Sequence, residues 1–184
     1  MFKKAKKITD DLACNKALHE IAKGNAQALS VIYQIYGRMI LSVAFQILHN
    51  EQDAEDVLQD VMLLINKNAE KYHAGTNPRA WVMTVTRNRA MNVLKRKREY
   101  QSIDELEHDS SVSTDFDSEL IQSTTLDAAF HSLSKEEQMT VKLKLFVGLS
   151  HAEIASVMKV SKACSEKRYE RAIQKLQYDL KRGE

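Results

Sequence analysis

The sequence predicts an all-α protein made of two helical domains, and three observations carry that expectation. Helix breakers are scarce, with one Pro and five Gly among 184 residues, whereas a β-sandwich or barrel uses both freely in its tight turns. Apolar residues recur at three- and four-residue steps, the period of a helix with one buried face. Helix-start signals of the Asn-Pro and Ser-x-x-Glu kind punctuate the apolar segments. At 43% hydrophobic and 28% charged the composition is that of a folded chain, and two domains of about 80 residues would each be modest in stability.

Residues 11–23 and 26–48 read as the first two helices, with Gly24-Asn25 suited to the C-cap and turn between them. In the second, Leu29, Ile32, Tyr33, Tyr36, Ile40, Val43, Ala44 and Ile47 share one face. Asn50 to Asp53 opens the next helix, whose early acids Glu51, Asp53, Glu55 and Asp56 suit the positive end of the helix dipole. Val57, Leu58, Val61, Leu64 and Ile65 supply its buried face, which leaves Asp53, Asp56, Gln59 and Asp60 as an exposed acidic stripe. Asn77-Pro78 starts a helix over 78–98, Asn as N-cap and Pro at the first helical position.

Residues 99–124 are acidic and rich in Ser and Thr, have no sustained periodicity, and read as a flexible linker. The domains are therefore expected at 1–98 and 125–184. The second opens on a short helix over 126–133. Ser134-Lys135-Glu136-Glu137 and Ser150-His151-Ala152-Glu153 are capping boxes for helices over 135–147 and 151–158, and Ser161 caps a last helix that runs toward Lys181.

The formal net charge is only +2, but its distribution is informative. Arg79 to Arg98 holds seven basic residues and no acid; Glu99 to Glu119 holds eight acids and no Lys or Arg; the tail is basic again. Cys14 and Cys164 lie far apart without metal-ligand spacing, and the six His are scattered, so neither a metal nor a cofactor is expected. No phosphate-binding Gly loop or nucleophile with its base is visible, so an enzyme is the least supported class. No apolar run approaches the roughly 20 residues that span a bilayer, and the basic N-terminus lacks the apolar segment of a signal peptide. A cytoplasmic protein with no membrane insertion is the expectation.

Three sites carry chemistry. The unit from Ser150 to Lys175 has the form of a helix-turn-helix. Ala155 is the small residue that lets its two helices approach, Val160 the plug beneath them, and Lys162, Glu166, Lys167, Arg168, Glu170 and Arg171 would face the major groove. The same pattern also suits a solvated basic helix on a small bundle. The 78–98 helix, with Arg87, Asn88, Arg89, Asn92, Lys95 and Arg96, is suited to a nucleic-acid backbone and exposed bases, or it is a basic solvated face. Its Trp81 reads more readily as core than as a stacking platform. The acidic stripe reads as a protein-docking face or plain surface.

Asp53-Ala54-Glu55-Asp56-Val57-Leu58-Gln59-Asp60-Val61 resembles the region-two signature of extracytoplasmic-function sigma factors of bacterial RNA polymerase. Ala80-Trp81-Val82, Arg87-Asn88, Asn92 and the run Leu94 to Arg98 resemble the family's promoter-melting helix, and Leu133 to Leu176 its region four. The resemblance implies an alternative sigma factor that binds core RNA polymerase and promoter DNA. Asp53, Asp56, Gln59 and Asp60 would dock on polymerase; the 78–98 helix would hold the melted downstream element; the last helix would read the upstream element. An anti-sigma partner is implied too. Where the family usually has Gly-Thr-Val-Lys-Ser-Arg, this chain has Ala163-Cys164-Ser165-Glu166-Lys167-Arg168, and Lys159 stands where the turn often has Gly. Ser165 in a usually apolar place is expected to loosen the packing of its helix. A stand-alone helix-turn-helix regulator, and a sigma-like adaptor with weakened promoter reading, remain as alternatives.

Overall fold

A computed structural model describes residues 2–73, 76–101 and 124–182, and every element among them is helical. The chain divides into two compact units, Met1–Val112 and Ser113–Glu184. The acidic stretch expected as a linker lies outside the described residues except at its two ends, where Glu99 to Gln101 and Thr124 are helical.

The N-terminal unit contains α1 (Phe2–Ala22), α2 (Leu29–Leu48), α3 (Glu51–Asn68) and α4 (Pro78–Gln101), with single 3-10 turns at Ala26–Ala28 and Ala69–Lys71. Helix α1 begins nine residues before the expected start at residue 11; the Lys and Ala that precede it are good helix formers even without an apolar face. Gly24 takes a left-handed φ of 95° after α1, where Asn25 N–H reaches back to the Glu20 carbonyl at 3.0 Å. The Asn50 side chain accepts from Asp53 N–H at 2.9 Å to start α3, and Asn77 Oδ1 accepts from Arg79 N–H at 3.0 Å to start α4. Both caps stand where the sequence places them.

Helix α2 packs against all three others and buries Ile32, Tyr36, Ile40, Val43 and Ala44. Two expectations need correction here. Tyr33 is exposed, its ring lying beside Gly37 on the outer side of α2. The stretch Ala26–Leu48 is also long and apolar enough, by composition, to cross a membrane, more apolar than the sequence reading allowed. Its apolar side is covered by α1, α3 and α4 in this fold.

A polar cluster ties α1 to the bundle. Asp11 Oδ1 accepts from the Tyr36 hydroxyl at 2.7 Å and from Arg79 Nε and Nη2 at 3.1 Å each, and the Arg79 guanidinium lies over the Tyr36 ring. Burial pushes the Tyr36 hydroxyl well above its ordinary range and the neighbouring Cys14 thiol up to about 11.

The second unit contains α5 (Thr124–His131), α6 (Lys135–Val141), α7 (His151–Met158) and α8 (Lys162–Arg182). Helix α8 packs against α5, α6 and α7, with Ala129, Leu133, Val141, Ala172 and Leu176 buried together. Both capping boxes form, Ser134 with Glu137 and Ser150 with Glu153. The helix expected over 135–147 is not uniform: it widens at Lys142–Phe146 into a π turn, in which Val147 N–H bonds to the Lys142 carbonyl five residues back at 3.1 Å.

Lys159 caps α7 in the left-handed conformation, φ 55° and ψ 47°, with Val160 N–H returning to the Ala155 carbonyl at 3.0 Å. A Cβ costs about 1 kcal/mol in this region, and glycine does not carry one. Lys159→Gly is therefore expected to stabilise the second unit by about 1 kcal/mol, read as a higher urea midpoint with unchanged slope. A lower midpoint would refute the account.

Candidate nucleic-acid interface

Helix α4 and the end of α3 frame a cavity of about 360 Å³ lined by Leu64, Asn68, Lys71, Trp81, Val85, Asn88, Arg89 and Asn92. No carboxylate is among these residues. Asn68 is already engaged, donating to the Leu64 carbonyl at 2.9 Å and accepting from Lys71 Nζ at 2.8 Å. Trp81, expected in the core, is instead half-buried in the cavity wall, held edge-on against Tyr72 with ring centroids 5.5 Å apart. Tyr72 in turn bonds through its hydroxyl to Asn15 and to the Thr76 carbonyl. Asn88 and Asn92, one turn apart, have no side-chain hydrogen bond to any described residue. The cavity thus combines an aromatic wall, two uncommitted amides and cationic donors.

The single-signed charge of α4 looks different in three dimensions. Arg79 is buried against Asp11 and takes no part in the surface. Arg89 pairs with Asp60 through Nη2 at 2.5 Å, and Lys97 pairs with Asp53. The acids that compensate Arg89 and Lys97 come from α3, since α4 itself carries an acid only near its end, at Glu99. Lys95 meets Glu99 at 3.7 Å in the open, a contact worth little in water; Arg96 and Arg98 are exposed. Arg87 is half-buried, and burial holds its guanidinium below the usual range.

The same pairs correct the expected acidic stripe. Asp56 and Gln59 are exposed, but Asp53 and Asp60 are only partly so and face α4. One turn beyond Gln59, Leu63 is 67% exposed, an outward apolar residue that the 3.6-residue pattern did not single out.

In the helix-turn-helix, Ala155 is buried between α7 and α8 and Val160 is half-buried in the turn. Ser161 Oγ caps α8 by accepting from Cys164 N–H at 3.1 Å. Ser165 does not loosen the packing: it is 1% exposed, its Oγ lies 3.2 Å from His151 Nδ1, and the His151 ring meets Tyr169 edge-on. A hydroxyl with a partner is tolerated where a methyl is usual. Of the six expected DNA-facing residues, Lys167, Arg168 and Arg171 line a groove of about 720 Å³. Ser134, Glu136 and Glu137 at the start of α6 form its opposite side. Lys162 and Glu166 pair with each other at 3.4 Å, and Glu170 is exposed.

Lys175 Nζ donates to both carboxylate oxygens of Glu137, at 2.9 and 2.8 Å. Burial pushes the Glu137 carboxyl up, but the Lys175 and Ser134 hydrogen bonds outweigh it and hold the group below its ordinary value. Its stabilisation is therefore present above the unfolded carboxyl pKa of about 4.3 and lost as pH falls through the lower folded value. Urea midpoints of the second unit are expected to fall below pH 4.3, and Glu137→Gln to flatten that slope; an unchanged slope would refute the assignment.

Residues 32–100 match Sigma-70 region 2 and residues 123–176 match Sigma-70 region 4. The chain is 24% identical over 133 residues to RNA polymerase sigma factor YlaC of Bacillus subtilis, covering 69% of this chain and 77% of that one. It is 24% identical over 153 residues to ECF RNA polymerase sigma factor SigE of Mycolicibacterium smegmatis, covering 74% and 55%. Its fold is similar to that of the sigma factor RpoE of Bartonella quintana, solved in complex with the anti-sigma factor NepR. The TM-score is 0.62 and the identity 22%, over 81% of this chain and 94% of that one. Two region matches in chain order, one on each helical unit, together with similarity to proteins named as sigma factors, make this chain an extracytoplasmic-function sigma factor of the sigma-70 family: an alternative sigma factor that binds core RNA polymerase and directs promoter recognition and initiation.

Proposed function

We propose that α4 holds the melted non-template strand, with one unstacked base in the cavity beside Trp81. The observation that carries this reading is the pair of uncommitted amides, Asn88 and Asn92, in a cavity without a carboxylate. Unstacking a base costs a few kcal/mol, offset by contact with an aromatic wall and by hydrogen bonds to the base edge. Arg87, Lys95 and Arg96 serve the strand's phosphates, and Arg89 completes the cavity wall. Lys167, Arg168 and Arg171 follow the backbone of the upstream element as duplex, while Lys162, Glu166 and Glu170 meet base edges; Glu accepts from the cytosine amino group.

Asp56 and Gln59, the two expected docking residues that stay exposed, face the polymerase together with Leu63. The functional division follows the sequence: 1–98 for docking and melting, 99–124 as an acidic connector that mimics nucleic acid in the polymerase channels, and 125–184 for upstream reading. The protein works by binding rather than by bond chemistry, in the cytoplasm where polymerase is, and under the control of an anti-sigma partner like the one bound in the Bartonella structure.

Reconstitution with core polymerase, followed by sequencing of run-off transcript starts, tests the reading. Defined start sites that depend on the protein are the expected result; no affinity for core polymerase would overturn it. A second reading, a polymerase-bound adaptor with weak upstream recognition, is favoured by Glu166 being tied to Lys162; binding of core without defined starts would select it.

A further inference from the structure

We propose that Asp60 is a positioning residue of the strand-capture surface on α4 and not a polymerase contact. The inference rests on the reading of α4 given above. Asp60 Oδ2 accepts from Arg89 Nε at 2.7 Å and from Nη2 at 2.5 Å, so one carboxylate oxygen holds the guanidinium side-on. Arg89 stands between Asn88 and Asn92 and lines the same cavity. Of the five N–H donors of a guanidinium, this grip uses two and leaves three for a base or sugar. The pair is partly withdrawn from water, with side chains 25% and 35% exposed; that strengthens it relative to an open surface pair.

A second grip repeats the arrangement on the same two helices. Asp53 holds Lys97, seven residues before Asp60 on α3 and eight beyond Arg89 on α4. The two pairs run antiparallel, so this edge of α3 is turned to α4 while Asp56 and Gln59 remain on the outside. Asp60 therefore does two things. It fixes the Arg89 side chain in the cavity wall, and it cancels the charge that would otherwise attract any duplex phosphate. Arg89 then contributes direction to base capture more than non-specific affinity.

Asp60→Asn in the full-length protein, assayed with core polymerase, tests this. Affinity for core should stay within about twofold of the parent, while open-complex formation at saturating core falls about tenfold. Asp60→Glu should recover part of the loss, and in an Arg89→Ala background Asp60→Asn should add nothing. Lost core affinity with normal opening at saturation, or additive losses in the double variant, overturns the proposal. Asn88→Ala in the same assay separates the two ideas. If it is impaired and Asp60→Asn is not, only the positioning role has failed; if both open normally, the capture reading of α4 has failed with it.

Discussion

Removing both amides of the cavity, Asn88→Ala with Asn92→Ala, is expected to reduce promoter opening about 10- to 100-fold, since a good base-edge contact is worth about 1–3 kcal/mol. Affinity for core polymerase should be unchanged, because the exposed Asp56 and Gln59 lie on α3 and away from the cavity lining. Permanganate reactivity of unpaired thymines, with run-off yield at saturating polymerase, is the measurement. The amides act only once the strand is open, so closed-complex formation should also persist. Lys95→Ala is the contrasting control: its side chain lies in the open, so it should weaken all sequences alike and reduce the salt slope by about one contact's share. Parental thymine reactivity in the double variant would remove these amides from the mechanism.

Asp11→Ala is expected to destabilise the N-terminal unit by about 3 kcal/mol, the low end for breaking a buried pair, because Asp11 keeps some contact with water while Arg79 has almost none. Their side chains are 20% and 5% exposed. The change withdraws one acceptor from both the Tyr36 hydroxyl and the Arg79 guanidinium. About 3 kcal/mol is a large share of a small domain's stability. Chemical denaturation should show it as a lower midpoint for this unit, with the second unit unaffected. Asp11→Asn, which retains an acceptor oxygen, should lose less. Equal losses in the two variants would mean that charge, and not hydrogen bonding, dominates the cluster.

Local chemistry was the legible part of this protein. Asn50, Asn77, Ser134, Ser150 and Ser161 each announce a helix start through a short side chain that reaches a nearby N–H, and such signals need only a few residues of context. Period likewise brought out most of the buried faces of α2 and α3. What escaped depends on residues distant in sequence. Arg89 and Asp60 are separated by 29 positions, Lys97 and Asp53 by 44, so neither the neutralisation of α4 nor the loss of two acids from the α3 stripe can be read from either helix alone. Trp81 was misplaced for the same reason: its wall position is set by Tyr72, which α1 holds through Asn15. The π turn at Lys142–Phe146 and the early start of α1 had no apolar pattern to mark them.

The central position of α2 has a consequence for how the chain is made. A ribosome releases residues 26–48 before the helices at Glu51–Asn68 and Pro78–Gln101 that cover them. At about 5–20 residues per second, the newborn segment waits roughly 3–10 s for its cover. During that interval it is an apolar helix without the two later partners that cover it in the finished fold. Early pairing with α1, the packing partner made before it, is therefore expected to shield its apolar side until the later helices arrive.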